Sequence, residues 1–227
     1  MKNSKRNLFI FGDSFSFGDG CRPEDEYYIK SEYKVKKIWP ELLSDELNLK
    51  LNMYAGRGYS NQETLRLLNQ NLYKIRKNDI VIIGLTDYYR FELFSNRGFY
   101  RFFYGSFKNI DDIDNLEFIK DDDTYEDEWC KAVEQYGKYI HYPYHLTYIN
   151  NLYKSFTSIY EFLNTNEIKT ILWTWEWSTK NSKIQHIPTK TEWTIQYEYP
   201  DIDDCHYSWY GHNQFYKEIS KLINKVI

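Results

Sequence analysis

The sequence predicts an α/β fold in which a parallel sheet is covered by helices on both faces, and three observations predict it. Apolar runs of strand length alternate along the chain with segments whose apolar residues recur at helical spacing. Two of those runs, Asp79 to Leu85 and Lys169 to Trp175, carry apolar residues on both faces, as a central strand covered by helices must. The chain has 227 residues, enough for one domain with a substantial core and short for two.

Asn7 to Phe11 is an apolar run that stops at Gly12, which reads as a first strand ending in a turn. After a charged loop from Asp19 to Lys37, Trp39, Leu42, Leu43 and Leu47 recur at helical spacing, with Pro40 acceptable in a first turn. Leu49 to Tyr54 gives a second strand. Gly56-Arg57-Gly58 reads as a turn, and Ser60-Asn61-Gln62-Glu63 has the form of a capping box ahead of a helix lined by Leu65, Leu68, Leu72 and Ile75. Asp79 to Leu85 is the third strand. The stretch from about 88 to 144 is too long for an ordinary connection, so a single domain over residues 1–227 carries an insertion there. Ile149, Leu152, Phe156, Ile159 and Leu163 mark the next helix, Lys169 to Trp175 the next strand, and Phe215, Ile219, Leu222, Ile223 and Val226 a closing helix.

Composition excludes several classes. With 42% hydrophobic and 27% charged residues the chain has the material to fold, unlike a disordered tail. A net charge of -4 argues against a binder of nucleic-acid phosphates. No apolar run spans a bilayer, and Met1 to Phe11 does not read as a secretory leader, so the expected location is the cytoplasm. Cys21, Cys130 and Cys205 are too few and scattered for a disulfide framework, and they form no C-x-x-C pair. The 23 tyrosines carry no inference about ligands by themselves.

Two segments carry chemistry. The turn Gly12-Asp13-Ser14-Phe15-Ser16-Phe17-Gly18 places a serine at the carboxyl end of a strand, where open α/β sheets put their sites. Far along the chain, Asp203-Asp204-Cys205-His206 precedes the closing helix. A carboxylate three residues before a histidine can hold the imidazole by one nitrogen while the other faces a serine. Taken alone, Asp201 to Asp204 reads as a solvated acidic loop.

Together these segments resemble the SGNH hydrolase superfamily, the GDSL esterases and lipases. Phe11-Gly12-Asp13-Ser14 with Gly18 matches the block that carries the family's nucleophile. Ala55-Gly56-Arg57-Gly58-Tyr59-Ser60-Asn61 matches the second block, with Gly58 at the glycine whose amide helps form the oxyanion hole. Asp203 to His206, followed by Gly211-His212, matches the last. The third block departs: the family's Gly-x-Asn-Asp is here Gly84-Leu85-Thr86-Asp87, so a threonine stands where a side-chain amide would donate to the oxyanion.

The resemblance implies a flavodoxin-like three-layer α/β/α sandwich with a five-stranded parallel sheet, and a serine esterase that needs no cofactor and no metal. Ser14 would be the nucleophile, His206 the base and Asp203 its orienter, with Asp204 as the alternative. The amides of Ser14 and Gly58, with the hydroxyl of Thr86, would form the oxyanion hole. Asp13, Asn61, Asp87, Arg97 and Tyr100 are the expected substrate-binding residues. The aromatic run from Arg97 to Tyr104 suits stacking on sugar rings, which makes an O-acetyl ester on a carbohydrate the preferred substrate; packing of the insertion is the competing use of those rings. An acyltransferase with the same triad, and a weakly active or inactive binding protein of the same fold, are the alternatives.

Three further features read as structural. The acidic stretch from Asp111 to Glu126 lacks the spacing of a calcium loop. His141 and His145 flank Pro143, which opposes a helix aiming both at one metal. Cys205 has no histidine of its own to activate it.

Overall fold

The computed structural model describes residues 6–34, 36–86, 90–95, 98–104, 116–117, 142–175 and 182–226, and only the backbone course of 91–95, 98–104, 116–117, 142–149 and 226. Five strands, β1 (Asn7–Gly12), β2 (Lys50–Ala55), β3 (Ile80–Leu85), β7 (Lys169–Thr174) and β8 (Ile184–His186), form one sheet in the order β2-β1-β3-β7-β8, and every pairing is parallel. The chain leaves β1 on one side to make β2 and crosses to the other side to make β3. Beyond the carboxyl ends of β1 and β3 this reversal opens a crevice.

Alternation along the strands divides the core in two. Leu8 and Ile10 of β1, Ile80 and Ile82 of β3, and Ile171 and Trp173 of β7 pack against helices α3 (Trp39–Glu46) and α7 (Trp209–Val226), where Trp39, Leu43, Phe215, Ile219 and Ile223 are buried. Phe9, Phe11, Val81, Ile83, Leu85 and Leu172 face helices α4 (Asn61–Asn71) and α5 (Tyr142–Thr165) through Leu68, Leu152, Phe156 and Leu163. Each such side chain contributes roughly 2 kcal/mol. The architecture is the three-layer α/β/α sandwich of flavodoxin-like type.

The capping residue Ser60 behaves as its position implies, its hydroxyl accepting from Glu63 N at 3.1 Å. Other elements differ from expectation. A short helix, α2 (Glu26–Lys30), interrupts the charged loop; Tyr27 is its buried anchor, and the Tyr27 hydroxyl accepts from Trp209 N at the start of α7 while donating to Glu198 Oε2. Strand β8 is three residues long, too short for any periodicity to show. Pro143 does not oppose a helix but lies in the first turn of α5, where a missing N–H costs nothing. His141 and the acidic stretch from Asp111 to Asp114 lie outside the described residues.

Within the expected insertion, β4 (Arg90–Ser95) pairs antiparallel with β5 (Gly98–Tyr104), which also pairs with β6 (Leu116–Glu117). The densest aromatic segment is therefore mostly strand β5. No helix among the described residues is long and apolar enough to cross a membrane.

Candidate active site

Three turns converge on the crevice. The first follows β1. Gly12 is required there, because a Cβ would stand 2.6 Å from Ser16 Oγ and 3.3 Å from the Gly84 carbonyl. Asp13 then caps the one-turn helix α1 (Ser14–Phe17), its carboxylate accepting from Phe15 N at 3.1 Å, and Gly18 closes the helix at φ 80° in the left-handed region. As the first residue of α1, Ser14 has an amide among those without a helical acceptor. Its hydroxyl oxygen is buried and makes no hydrogen bond among the described residues.

The second turn carries the histidine. Short helix α6 (Ile195–Glu198) fastens it, for Ile195 N donates to the His206 carbonyl at 2.8 Å and Gln196 N to the Asp204 carbonyl at 2.9 Å. Asp204 Oδ1 then takes both the backbone N–H of His206, at 2.8 Å, and its ring Nδ1, at 2.7 Å. A side-chain turn over two residues therefore delivers the carboxylate to the ring. Asp203, the expected orienter, does not reach it; its Oδ1 accepts from Gln196 Nε2 at 3.3 Å on the surface. Asp204 is the imidazole's partner.

Ser14 is flanked by two residues that sense the imidazole: the Phe15 ring lies 5.1 Å from the His206 ring, and the Asp13 charge acts on it. The Ser14 to His206 hydrogen bond is nevertheless not formed, and His206 Nε2 faces Asp19 Oδ2 at 3.8 Å. Burial works against a proton on His206, but the Asp204 hydrogen bond and the charges of Asp204, Asp19 and Asp13 outweigh it, so its pKa is raised above 6.5. Asp204 moves the other way: burial disfavours its charge, and the bonds from His206 overcome that and lower its pKa.

The third turn surrounds Thr86. Asn61 holds its backbone at both ends, Nδ2 donating to the Thr86 carbonyl at 2.8 Å and Oδ1 accepting from Thr86 N at 2.9 Å. With the backbone so engaged, the Thr86 hydroxyl remains, buried and without a hydrogen bond among the described residues. Gly58 sits nearby in sequence at φ 66°, in a turn joined to β1 by Gly56 N donating to the Gly12 carbonyl at 3.4 Å.

Several expected roles change on this geometry. Asn61 spends its carboxamide on Thr86 and positions that residue rather than a substrate. Asp13, 1% exposed, is a buried cap that also accepts from Trp175 Nε1 at 3.2 Å and lies 3.7 Å from Arg90 Nη1. Tyr100 has its backbone in β5 opposite Leu93, while Asp87 and Arg97 lie outside the described residues. Asp19, Trp175 and Arg90 were not anticipated. Asp19 opens a charged loop and Arg90 an insertion, where nothing in the sequence marks one charge from the next.

Beneath the site His212 is buried, its ring 5.6 Å from Tyr207 and its Nδ1 accepting from Trp39 N at 3.4 Å. Burial, aided by the charges of His206 and Arg22, lowers its pKa from 6.5 to about 3. The folded chain therefore leaves His212 neutral at a pH where the unfolded chain protonates it, and stability falls by about 1.4 kcal/mol per unit as pH drops below 6.5. His206, protonated in both states below its unfolded pKa, adds no slope there. Urea unfolding between pH 6 and 4.5 is expected to show a slope that His212→Gln reduces by one proton; an unchanged slope would mean the ring is protonated in the fold.

No family model matches the chain, and no curated protein matches it. Among solved structures it is similar to the lipase Lip_vut3 from a goat rumen metagenome, at 13% identity and a TM-score of 0.44, over 95% of this chain and 96% of that one. At that distance the likeness assigns no chemistry.

Proposed function

We propose that this chain is a serine hydrolase of the SGNH type acting on acyl esters, with Ser14 as nucleophile, His206 as base and Asp204 as its orienter. The observation that carries the reading is the Asp204 to His206 pair, whose ring lies against Phe15, next in sequence to a buried serine whose hydroxyl makes no hydrogen bond among the described residues. In the reaction, His206 Nε2 takes the Ser14 proton as Oγ bonds to the ester carbonyl carbon. The carbonyl oxygen gains the negative charge, held by the amides of Ser14 and Gly58 and the Thr86 hydroxyl. Collapse breaks the bond to the alcohol, which leaves with the proton from His206, and water repeats the cycle to free the acid. Asp204, accepting from Nδ1–H, keeps the neutral ring's proton on Nδ1 so that Nε2 is the acceptor, and it stabilises the imidazolium. His206 moves from Asp19 to Ser14 when substrate binds, in keeping with catalytic hydrogen bonds that tighten only in the complex. An O-acetyl ester on a carbohydrate is the preferred substrate, on the strength of the aromatic strand β5.

Labelling with a fluorophosphonate probe tests this. The adduct is expected on the peptide that contains Ser14, with loss of labelling in His206→Ala. Folded wild-type protein that takes no label would favour a binding protein instead, and label on another serine would remove Ser14 as the nucleophile.

A further inference from the structure

The nitrogen of His206 that must receive the serine proton is already faced by a carboxylate. We propose that Asp19 is a positioning residue for His206: its charge draws the imidazole by the Nε2 edge, away from Ser14, and Arg57 sets how strongly it does so. This rests on the hydrolase reading for its consequence, though not for its geometry.

Asp19 Oδ2 lies 3.8 Å from His206 Nε2, and its side chain is only 17% exposed. Its other oxygen is engaged twice, in an ion pair with Arg57 Nε and by Gly20 N donating at 3.2 Å. Arg57 in turn reaches Asp25 Oδ1 at 2.6 Å, so one guanidinium ties the turn carrying Gly58 to the loop after α1. That loop also presses on the histidine segment, since a Cβ on Gly20 would stand 2.7 Å from Asp204 Oδ2. Asp19 is thus held beside the ring from two directions.

The charges around the ring are Asp204 on its own turn, Asp13 at the cap of α1, Asp19 on the following loop and Arg57 behind it. His212 on α7 interacts with it from below, Arg22 acts on His212, and the Cys205 thiol with Arg90 lies alongside. Carboxylates dominate this set, in keeping with the raised pKa of His206. Carboxylates facing both ring nitrogens favour the protonated imidazole, and that form cannot accept the Ser14 proton. The Nε2 proton must first pass to solvent, and Asp19 sets the pH at which it does. Removing the Asp19 charge makes His206 available at lower pH; removing Arg57 frees the Asp19 charge to act fully and does the reverse.

The test compares wild type with Asp19→Asn, Asp19→Ser and Arg57→Met by two readouts. Ring NMR titration, with His206 assigned through His206→Gln, is expected to give a lower midpoint in both Asp19 variants and a higher one in Arg57→Met. In hydrolysis of p-nitrophenyl acetate, the rate at pH 6 relative to the alkaline plateau is expected to rise roughly two- to fivefold in Asp19→Asn. Midpoints that match wild type, or that shift the same way in the Asp19 and Arg57 variants, overturn the proposal. Oppositely shifted midpoints in a protein that turns over no ester would uphold the role of Asp19 and defeat the hydrolase reading.

Discussion

An Asp204→Asn variant is expected to lose about 10⁴-fold in kcat toward p-nitrophenyl acetate, while Asp203→Asn stays within about twofold of wild type. The asymmetry comes from the turn. Asp204 Oδ1 accepts from the backbone N–H and the ring Nδ1 of His206, and an asparagine oxygen can still satisfy the backbone N–H. The fold should therefore survive, yet the neutral amide neither stabilises the imidazolium nor enforces the tautomer that leaves Nε2 free to accept. Asp203 accepts from a surface glutamine side chain instead. The reverse order of effects would show that the working enzyme exchanges one aspartate for the other.

Thr86→Val is expected to separate stability from activity. Valine keeps the shape and removes a buried hydroxyl that has no hydrogen bond among the described residues, so thermal stability should hold or rise. Turnover should fall by about 10²-fold if that hydroxyl donates to the oxyanion, and Thr86→Ser should retain most of it. Equal kcat in Thr86→Val and wild type would remove the hydroxyl from the oxyanion hole and leave the amides of Ser14 and Gly58 to serve alone.

The layers of this fold were legible because strands β1, β3 and β7 carry apolar residues on both faces, and the helices that cover them repeat theirs at helical spacing. Short elements such as α2 and β8 were not, since five residues held by one buried tyrosine, or three by one isoleucine, repeat nothing. In the site, Ser14, Thr86 and His206 could be singled out because they fall in blocks that resemble a known family's, at strand ends and helix starts. The choice between Asp203 and Asp204 could not. It depends on a backbone turn fastened by α6, a helix of four residues whose amides bind the carbonyls of Asp204 and His206. Asp19 was hidden for a similar reason: one acidic residue in a charged loop acquires a role only when Gly20 brings it against a segment 185 positions further along.

The pinning of residues 204 to 206 by α6 also bears on how the molecule is made. The hydroxyl at residue 14 leaves the ribosome long before the segment that carries its proposed proton acceptor, residue 206. Until residues 204 to 206 have docked, a nascent chain displays the turn of residue 14 without the imidazole proposed to activate it.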